Sequence, residues 1–185
     1  LVRYIEIAFP VQGNISVIDP QTYQFYIHTL PSRPSVGAWE PYDERTVLAD
    51  FYRLWETKFL DDLWIEVKDV PYENGVVGKH VIFNLEERQR IKIVEYVGSD
   101  ALKQSDIEEK LAENSSLIRL DSFIETSLLR TIEGILRDML SDEGYQYANV
   151  THEIQEIAGG PKLVNISFHL DEGPKVKIRE IDFVG

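Results

Sequence analysis

The chain has 185 residues, 43% hydrophobic and 11% aromatic, enough to fill the core of one domain or of two small ones. Its 32 acidic against 19 basic residues give a net charge of −13, so nucleic acid or an anionic membrane surface would be repelled, and no basic stripe offsets this. Cysteine is absent, which excludes disulfides, thiolate catalysis and Cys-type zinc sites and suits an oxidising compartment.

No apolar run approaches the roughly 20 residues needed to cross a bilayer as a helix. The opening Leu1-Val2-Arg3 has neither an initiator Met nor a signal-peptide pattern. It reads as a fragment trimmed at its N-terminus, so a missing signal says nothing about export.

In chain order, a β-rich run from about Val2 to Phe9 predicts a first strand. Asp19 suits a helix N-cap and Pro20 the first turn of a helix leading into Tyr23, Phe25, Tyr26 and Ile27. A Pro-rich connection, Pro31 to Pro41, holds Trp39, which fits either an exposed anchor or a cover on the helical layer. Val47, Leu48, Phe51, Leu54, Trp55 and Phe59 keep helical spacing behind a candidate cap, Asp43. Leu63, Ile65 and Val67 alternate with Trp64, Glu66 and Lys68, and an Asn74-Gly75 turn leads to a partner strand through Val81, Phe83 and Leu85.

The order then repeats. A strand is expected from Arg90 to Val97, and Ser105-Asp106-Ile107-Glu108 has the form of a capping box opening a helix through Leu111. A longer helix follows through Leu128, Ile132, Ile135, Leu136 and Met139, with Ser122 as its cap. Val150 to Ile157 turns at Gly159-Gly160-Pro161 into Leu163 to Leu170. Phe83, Leu85 and Glu87 recur as Phe168, Leu170 and Glu172, each 85 positions on. Leu63 and Ile65 recur at the same offset as Ala148 and Val150, and Gly13 as Gly98; Ile181 to Gly185 echoes Val94 to Gly98. The expected fold class is α+β: tandem β-α-α-β-β modules, each a three-stranded mixed sheet covered on one face by two helices. The expected bounds are 1–88, 89–174 and, for the first strand of a truncated third module, 175–185.

The run Phe168-His169-Leu170-Asp171-Glu172-Gly173-Pro174-Lys175-Val176-Lys177, continuing to Gly185, and the step Gly144-Tyr145-Gln146-Tyr147 resemble POTRA domains of outer-membrane β-barrel assembly proteins, the BamA family. The first copy departs from this pattern, with Lys58-Phe59 in place of glycine-tyrosine and Glu87-Arg88-Gln89 in place of Glu-Gly-Pro. The resemblance implies a polypeptide-binding role in the periplasm, tethered to the outer membrane through a C-terminal barrel that this chain does not contain. It implies unfolded outer-membrane protein precursors and accessory lipoproteins of the assembly machinery as partners, with no cofactor and no catalytic residue. It further implies that the second strand of each module is an open edge for partner strands: Trp64, Ile65, Glu66, Val67 and Lys68 in the first, Thr151, His152, Glu153, Ile154 and Gln155 in the second. The alternative for each edge is plain solvation, with Glu and Lys blocking unwanted pairing. A two-partner secretion transporter and an envelope or cell-division scaffold are the other readings of the same modules.

Glu87, Arg88, Gln89, Gly173 and Pro174 form the inter-module junctions; Gly173-Pro174 restricts the backbone and Arg88-Gln89 does not, which fits a hinge or an ordinary short linker. Asp61-Asp62 and Glu86-Glu87 are expected to be solvated charge at strand ends. The four histidines, His28, His80, His152 and His169, lack metal-ligand spacing, although His152 and His169 are candidates to meet across the second hairpin. Of four Asn-x-Ser/Thr triplets, at Asn14, Asn114, Asn149 and Asn165, two fall in expected strands, which argues against glycosylation.

Overall fold

A computed structural model describes residues 1–177. The echo of the first strand at 181–185 therefore lies outside the described residues, and Lys175 to Lys177 carry no strand. The chain divides into two compact units, Leu1–Arg88 with the short segment Gly159–Lys162, and Gln89–Ala158 with the chain from Leu163 on.

The first unit runs β1 (Val2–Ala8), α1 (Pro20–Gln24), α2 (Glu44–Glu56), β2 (Leu60–Asp69) and β3 (Lys79–Glu87). Helix α1 starts as the sequence indicates, Asp19 accepting from the Gln21 amide at 2.9 Å with Pro20 in the first turn. It stops at Gln24, leaving Phe25 exposed. Helix α2 is capped by Asp43, which accepts from the Arg45 amide at 3.2 Å and the Thr46 hydroxyl at 2.8 Å. These two bonds, the Thr46 bond first, hold the Asp43 carboxyl below its usual range. Strand β3 lies in the centre, parallel to β1 and antiparallel to β2. Its Val81, Phe83 and Leu85 face the helices and meet Tyr23, Val47, Leu54 and Leu63 in the core. Burying a side chain such as Phe83 contributes about 1.5–3 kcal/mol, and the two helices are the only layer that can supply that burial.

The second unit repeats the order: β4 (Arg90–Val97), α3 (Gln104–Glu113), α4 (Thr126–Asp142), β5 (Asn149–Glu156) and β6 (Leu163–Asp171), with β6 central between β4 and β5. Val164, Ile166, Phe168 and Leu170 of β6 pack on Leu111, Leu129, Ile132, Leu136 and Leu140. The expected fold class is thus borne out, mixed sheets included.

Several local expectations need correction. Helix α3 starts two residues early, at Gln104 behind Lys103, so Ser105 sits inside its first turn and makes no capping bond. Ser122 does not cap α4, which begins at Thr126 behind Glu125. The Ser122 carbonyl instead accepts from the Ile91 amide at 2.9 Å and the Asp121 amide donates to the Ile91 carbonyl at 2.7 Å, committing that backbone to the sheet edge. In α2, Leu48 and Trp55 face solvent while Asp50 is buried. Trp39 is half exposed and covers no helix; its ring stands edge-on to Tyr72 in the β2–β3 connection, 5.7 Å between centroids.

The 85-residue spacing holds only for the third strands. Ile7 lies opposite Phe83 and Tyr96 opposite Phe168, so the first strands are 89 positions apart. Leu63 lies opposite Leu85 and Val150 opposite Leu170, so the second strands are 87 apart. Leu63 thus corresponds to Val150 rather than Ala148. An even slip of two preserves which face each residue takes, which is why the pattern survived it. Gly13 and Gly98 are not equivalent. Gly13 closes a 3₁₀ turn over Pro10–Gln12, whereas Gly98 directly follows β4 at φ 94°, where a Cβ would come within 2.7 Å of the Leu170 carbonyl oxygen.

Candidate peptide-binding edges

Strands β2 and β5 each pair on one side only, so their second side is an open row of main-chain groups. In the first unit, Ile65 and Val67 take the helix-facing side and Trp64, Glu66 and Lys68 the outer side. In the second, His152 and Ile154 lie on the helix-facing side and Thr151, Glu153 and Gln155 on the outer one. The 87-residue correspondence makes Val67 and Ile154 equivalent. Both are aliphatic and about 40% exposed, at 40% and 38%, beside the open edge.

The outer faces carry a second match. The Glu66 carboxylate accepts from Trp64 Nε1 (3.4 Å) and Asn84 Nδ2 (3.3 Å) and pairs with Lys68 Nζ (3.1 Å). At the corresponding place Glu153 accepts from Gln155 Nε2 (2.9 Å) and meets His169 Nε2 (3.2 Å). The Lys68 bond first, then Trp64, holds Glu66 below the usual carboxylate range; Gln155, then His169, does the same for Glu153. Each edge therefore bears a fixed acidic group on its outer face and an exposed aliphatic on its inner one.

His152 and His169 do not meet. Thr151 is the residue opposite His169, and one residue's shift sends His152 through the sheet to Glu133 of α4, with its ring centroid 6.3 Å from that of Phe168. Among the described residues no cluster of three or more His, Asp or Glu side chains could hold a metal ion, and no helix is long and apolar enough to cross a membrane.

Glu87 is the largest departure from expectation. It is not solvated but 1% exposed. Its carboxylate accepts from Gln12 Nε2 (2.8 Å), the Val17 and Ile18 amides (2.6 and 2.9 Å) and the Tyr23 hydroxyl (2.7 Å). Glu172, its repeat partner, accepts from the Ser99 hydroxyl at 2.5 Å and the Ala101 amide at 3.3 Å, and the Ser99 bond chiefly holds its carboxyl below the usual range. In each unit a glutamate at the end of the central strand, Glu87 as its last residue and Glu172 just past it, pins the loop that leaves the first strand. Of the other junction residues, the Arg88 amide donates to the Phe59 carbonyl at 2.9 Å and its guanidinium to the Lys58 carbonyl at 3.1 Å. The Gln89 carbonyl accepts from the Ile124 amide at 3.3 Å. Gly173 takes φ 64° and its Cα lies against the Tyr147 carbonyl, a Cβ there falling 3.2 Å from that oxygen; Pro174 is exposed. Sequence reading also missed Asp50, fully buried in α2, which accepts from the His28 and Thr29 amides at 2.8 and 2.9 Å, from the Thr29 hydroxyl, and pairs with Arg53.

A tandem α+β module with an open second-strand edge is the class of protein these features define. Residues 89–173, which take in β4 to β6 of the second unit, match the model of the POTRA family, described as surface antigen variable number repeat. The resemblance drawn from Gly144–Tyr147 and the Phe168–Pro174 run is borne out. The chain is also 23% identical over 175 residues, 95% of its length, to the outer membrane protein assembly factor BamA of Nitratidesulfovibrio vulgaris, and spans about 20% of that relative. Among solved structures it is similar to POTRA domains 1–2 of the Omp85 periplasmic domain from Anabaena (18% identity, TM-score 0.42, covering 91% of this chain and 93% of that one). It is likewise similar to POTRA domains 3–5 of Haemophilus influenzae BamA (15% identity, TM-score 0.43, covering 96% and 69%).

Proposed function

We propose that this chain is part of the periplasmic arm of an outer-membrane β-barrel assembly protein, where it receives unfolded barrel precursors and docks accessory lipoproteins. Residues 1–88 and 89–174 act as two such modules. Precursors add as strands to β2 and β5. The observation that carries this reading is the equivalence of the two edges, each a one-sided strand with an exposed aliphatic, Val67 or Ile154, beside it. Main-chain pairing is largely indifferent to sequence, and the aliphatic adds a preference for apolar residues at alternate positions, as barrel strands have. The similarity to BamA over 95% of the chain supports the setting.

Neighbouring amides in a strand point to opposite sides, so of Glu153 and Ile154 one directs its N–H at β6 and the other at the open edge. Proline at the first kind of position breaks the sheet; at the second it leaves the sheet intact and blocks strand addition. Circular dichroism separates the two. The folded variant should bind a barrel-strand peptide at least fivefold more weakly by fluorescence anisotropy; unchanged binding by that variant removes β5 as the site.

A further inference from the structure

The opposite sheet edges, β1 and β4, carry a repeated feature of their own. In the first unit a hollow of about 350 Å³ lies beside β1, lined by Ile5, Ile7, Ile27 and Leu30 among others. In the second a hollow of about 380 Å³ lies beside β4, against Val94, Tyr96, Glu108, Leu117 and Leu120. The 89-residue correspondence of the first strands puts Val94 in the place of Ile5 and Tyr96 in the place of Ile7. The same space is thus left twice, by different side chains, although close packing would fill it at little cost in residues.

The main chain agrees. Each first strand is closed at a single residue: the Val2 amide donates to the Glu40 carbonyl (2.8 Å) and its carbonyl accepts from the Ser32 amide (2.9 Å), as Ile91 does with Ser122 and Asp121. A bulge follows at once in both, at Arg3 and at Lys92. Beyond it, among the described residues, no further main-chain bond reaches the outer side of Tyr4–Ile7 or Ile93–Tyr96. An open strand beside an apolar hollow offers an extended chain both backbone partners and room for every second side chain. The rims also carry exposed leucines, Leu30 at 56% and Leu120 at 60%, which no core uses.

Charge narrows the occupant. Lys92 is paired with Asp121, whereas Glu108 accepts only a neutral bond from Gln104 at 2.9 Å. The Tyr96 phenol beside it is pushed up to about 12, first by burial and then by the Glu108 charge. In a chain of net charge −13, that carboxylate favours a cationic guest. We propose that the hollows beside β1 and β4 are a second peptide site, each taking an extended segment with apolar residues at alternate positions, its basic end beside Glu108 in the second unit. The site does not depend on the β2 and β5 edges.

The test is a ¹H–¹⁵N NMR titration of the whole chain with a peptide alternating valine and threonine and ending in lysine. Amides of Tyr4–Ala8 and Ile93–Val97 should shift. Leu30→Glu and Leu120→Glu, both at exposed positions, should each lower affinity at their own edge at least fivefold with the unfolding midpoint unchanged. A glutamate-ended peptide should bind beside β4 at least threefold more weakly, a difference that Glu108→Gln removes. Shifts confined to Leu60–Asp69 and Asn149–Glu156 would overturn this site and leave the second-strand reading standing. Shifts insensitive to both leucine substitutions would overturn it too, as would shifts that grow with protein concentration alone, which would make the occupant a second copy.

Discussion

Replacing Glu87 by Gln isolates the contribution of the pinned loop to the first unit. The carboxylate serves four donors, two on each oxygen: Gln12 Nε2 and the Val17 amide on one, the Ile18 amide and the Tyr23 hydroxyl on the other. An amide keeps one oxygen and turns an NH₂ toward the donors of the other. A buried donor left without an acceptor costs about 1–3 kcal/mol. The Tyr23 hydroxyl can rotate to accept, so the net loss should be about 2–4 kcal/mol, a large part of the roughly 5–15 kcal/mol that holds a small domain. All three tryptophans, Trp39, Trp55 and Trp64, lie in the first unit, so tryptophan fluorescence during urea unfolding reports that unit alone. With a slope of about 1–2 kcal/mol per molar urea, the midpoint should fall by roughly 1–4 M. Tyr23→Phe alone should cost about 1 kcal/mol, and in the double variant the two losses should fail to add, because they share one oxygen. A Glu87→Gln loss below about 0.5 kcal/mol would refute the buried-carboxylate account.

Asp50→Ala leaves the His28 and Thr29 amides without their acceptor and should destabilise the same fluorescence transition by about 2–4 kcal/mol; a neutral result contradicts the role assigned to it. Gly98→Ala forces a side chain into φ 94° and to 2.7 Å from a main-chain oxygen that cannot move aside, so the second unit should lose about 1–3 kcal/mol by circular dichroism. Acid should weaken both units. Asp43, Glu66, Glu153 and Glu172 all have lowered folded pKa values. Their stabilisation is fully present above the ordinary carboxylate range and is lost as pH falls through the lowered values. Urea midpoints should be level between pH 6 and 7 and drop toward pH 3, and Glu172→Gln should flatten that drop in the second unit; a midpoint that rises on acidification has the sign wrong.

The order of elements along the chain and the two layers were legible because period-two alternation in Leu63–Lys68 and Leu163–Leu170, and helical spacing in Leu128–Met139, each point to one buried face; which strand lies at the edge came from the family resemblance. The caps at Asp19 and Asp43 were legible because their partners are two or three residues away. Ser105 and Ser122 look the same in sequence but cap nothing: Ser105 falls inside the first turn of α3, and Ser122 belongs to a sheet edge set by Ile91, 31 positions earlier. Glu87 was misread because its donors lie 64 to 75 residues away, although its recurrence as Glu172 was already a sign of a shared task. The equivalence of Val67 with Ile154, and of Glu66 with Glu153, stayed hidden because the offset changes from 89 to 87 to 85 along the module, and only the strand register reveals that.

The central claim, that extended precursors complete the second-strand edges, is tested most directly by amide hydrogen exchange of the chain with and without an unfolded barrel precursor. Before addition, alternate amides of Leu60–Asp69 and Asn149–Glu156 should be protected by β3 and β6 and the others should exchange freely. Addition should protect the free set, filling in the two-residue period along both strands. Protection that leaves those amides exchanging as before, while the precursor is bound, would contradict strand addition at these edges.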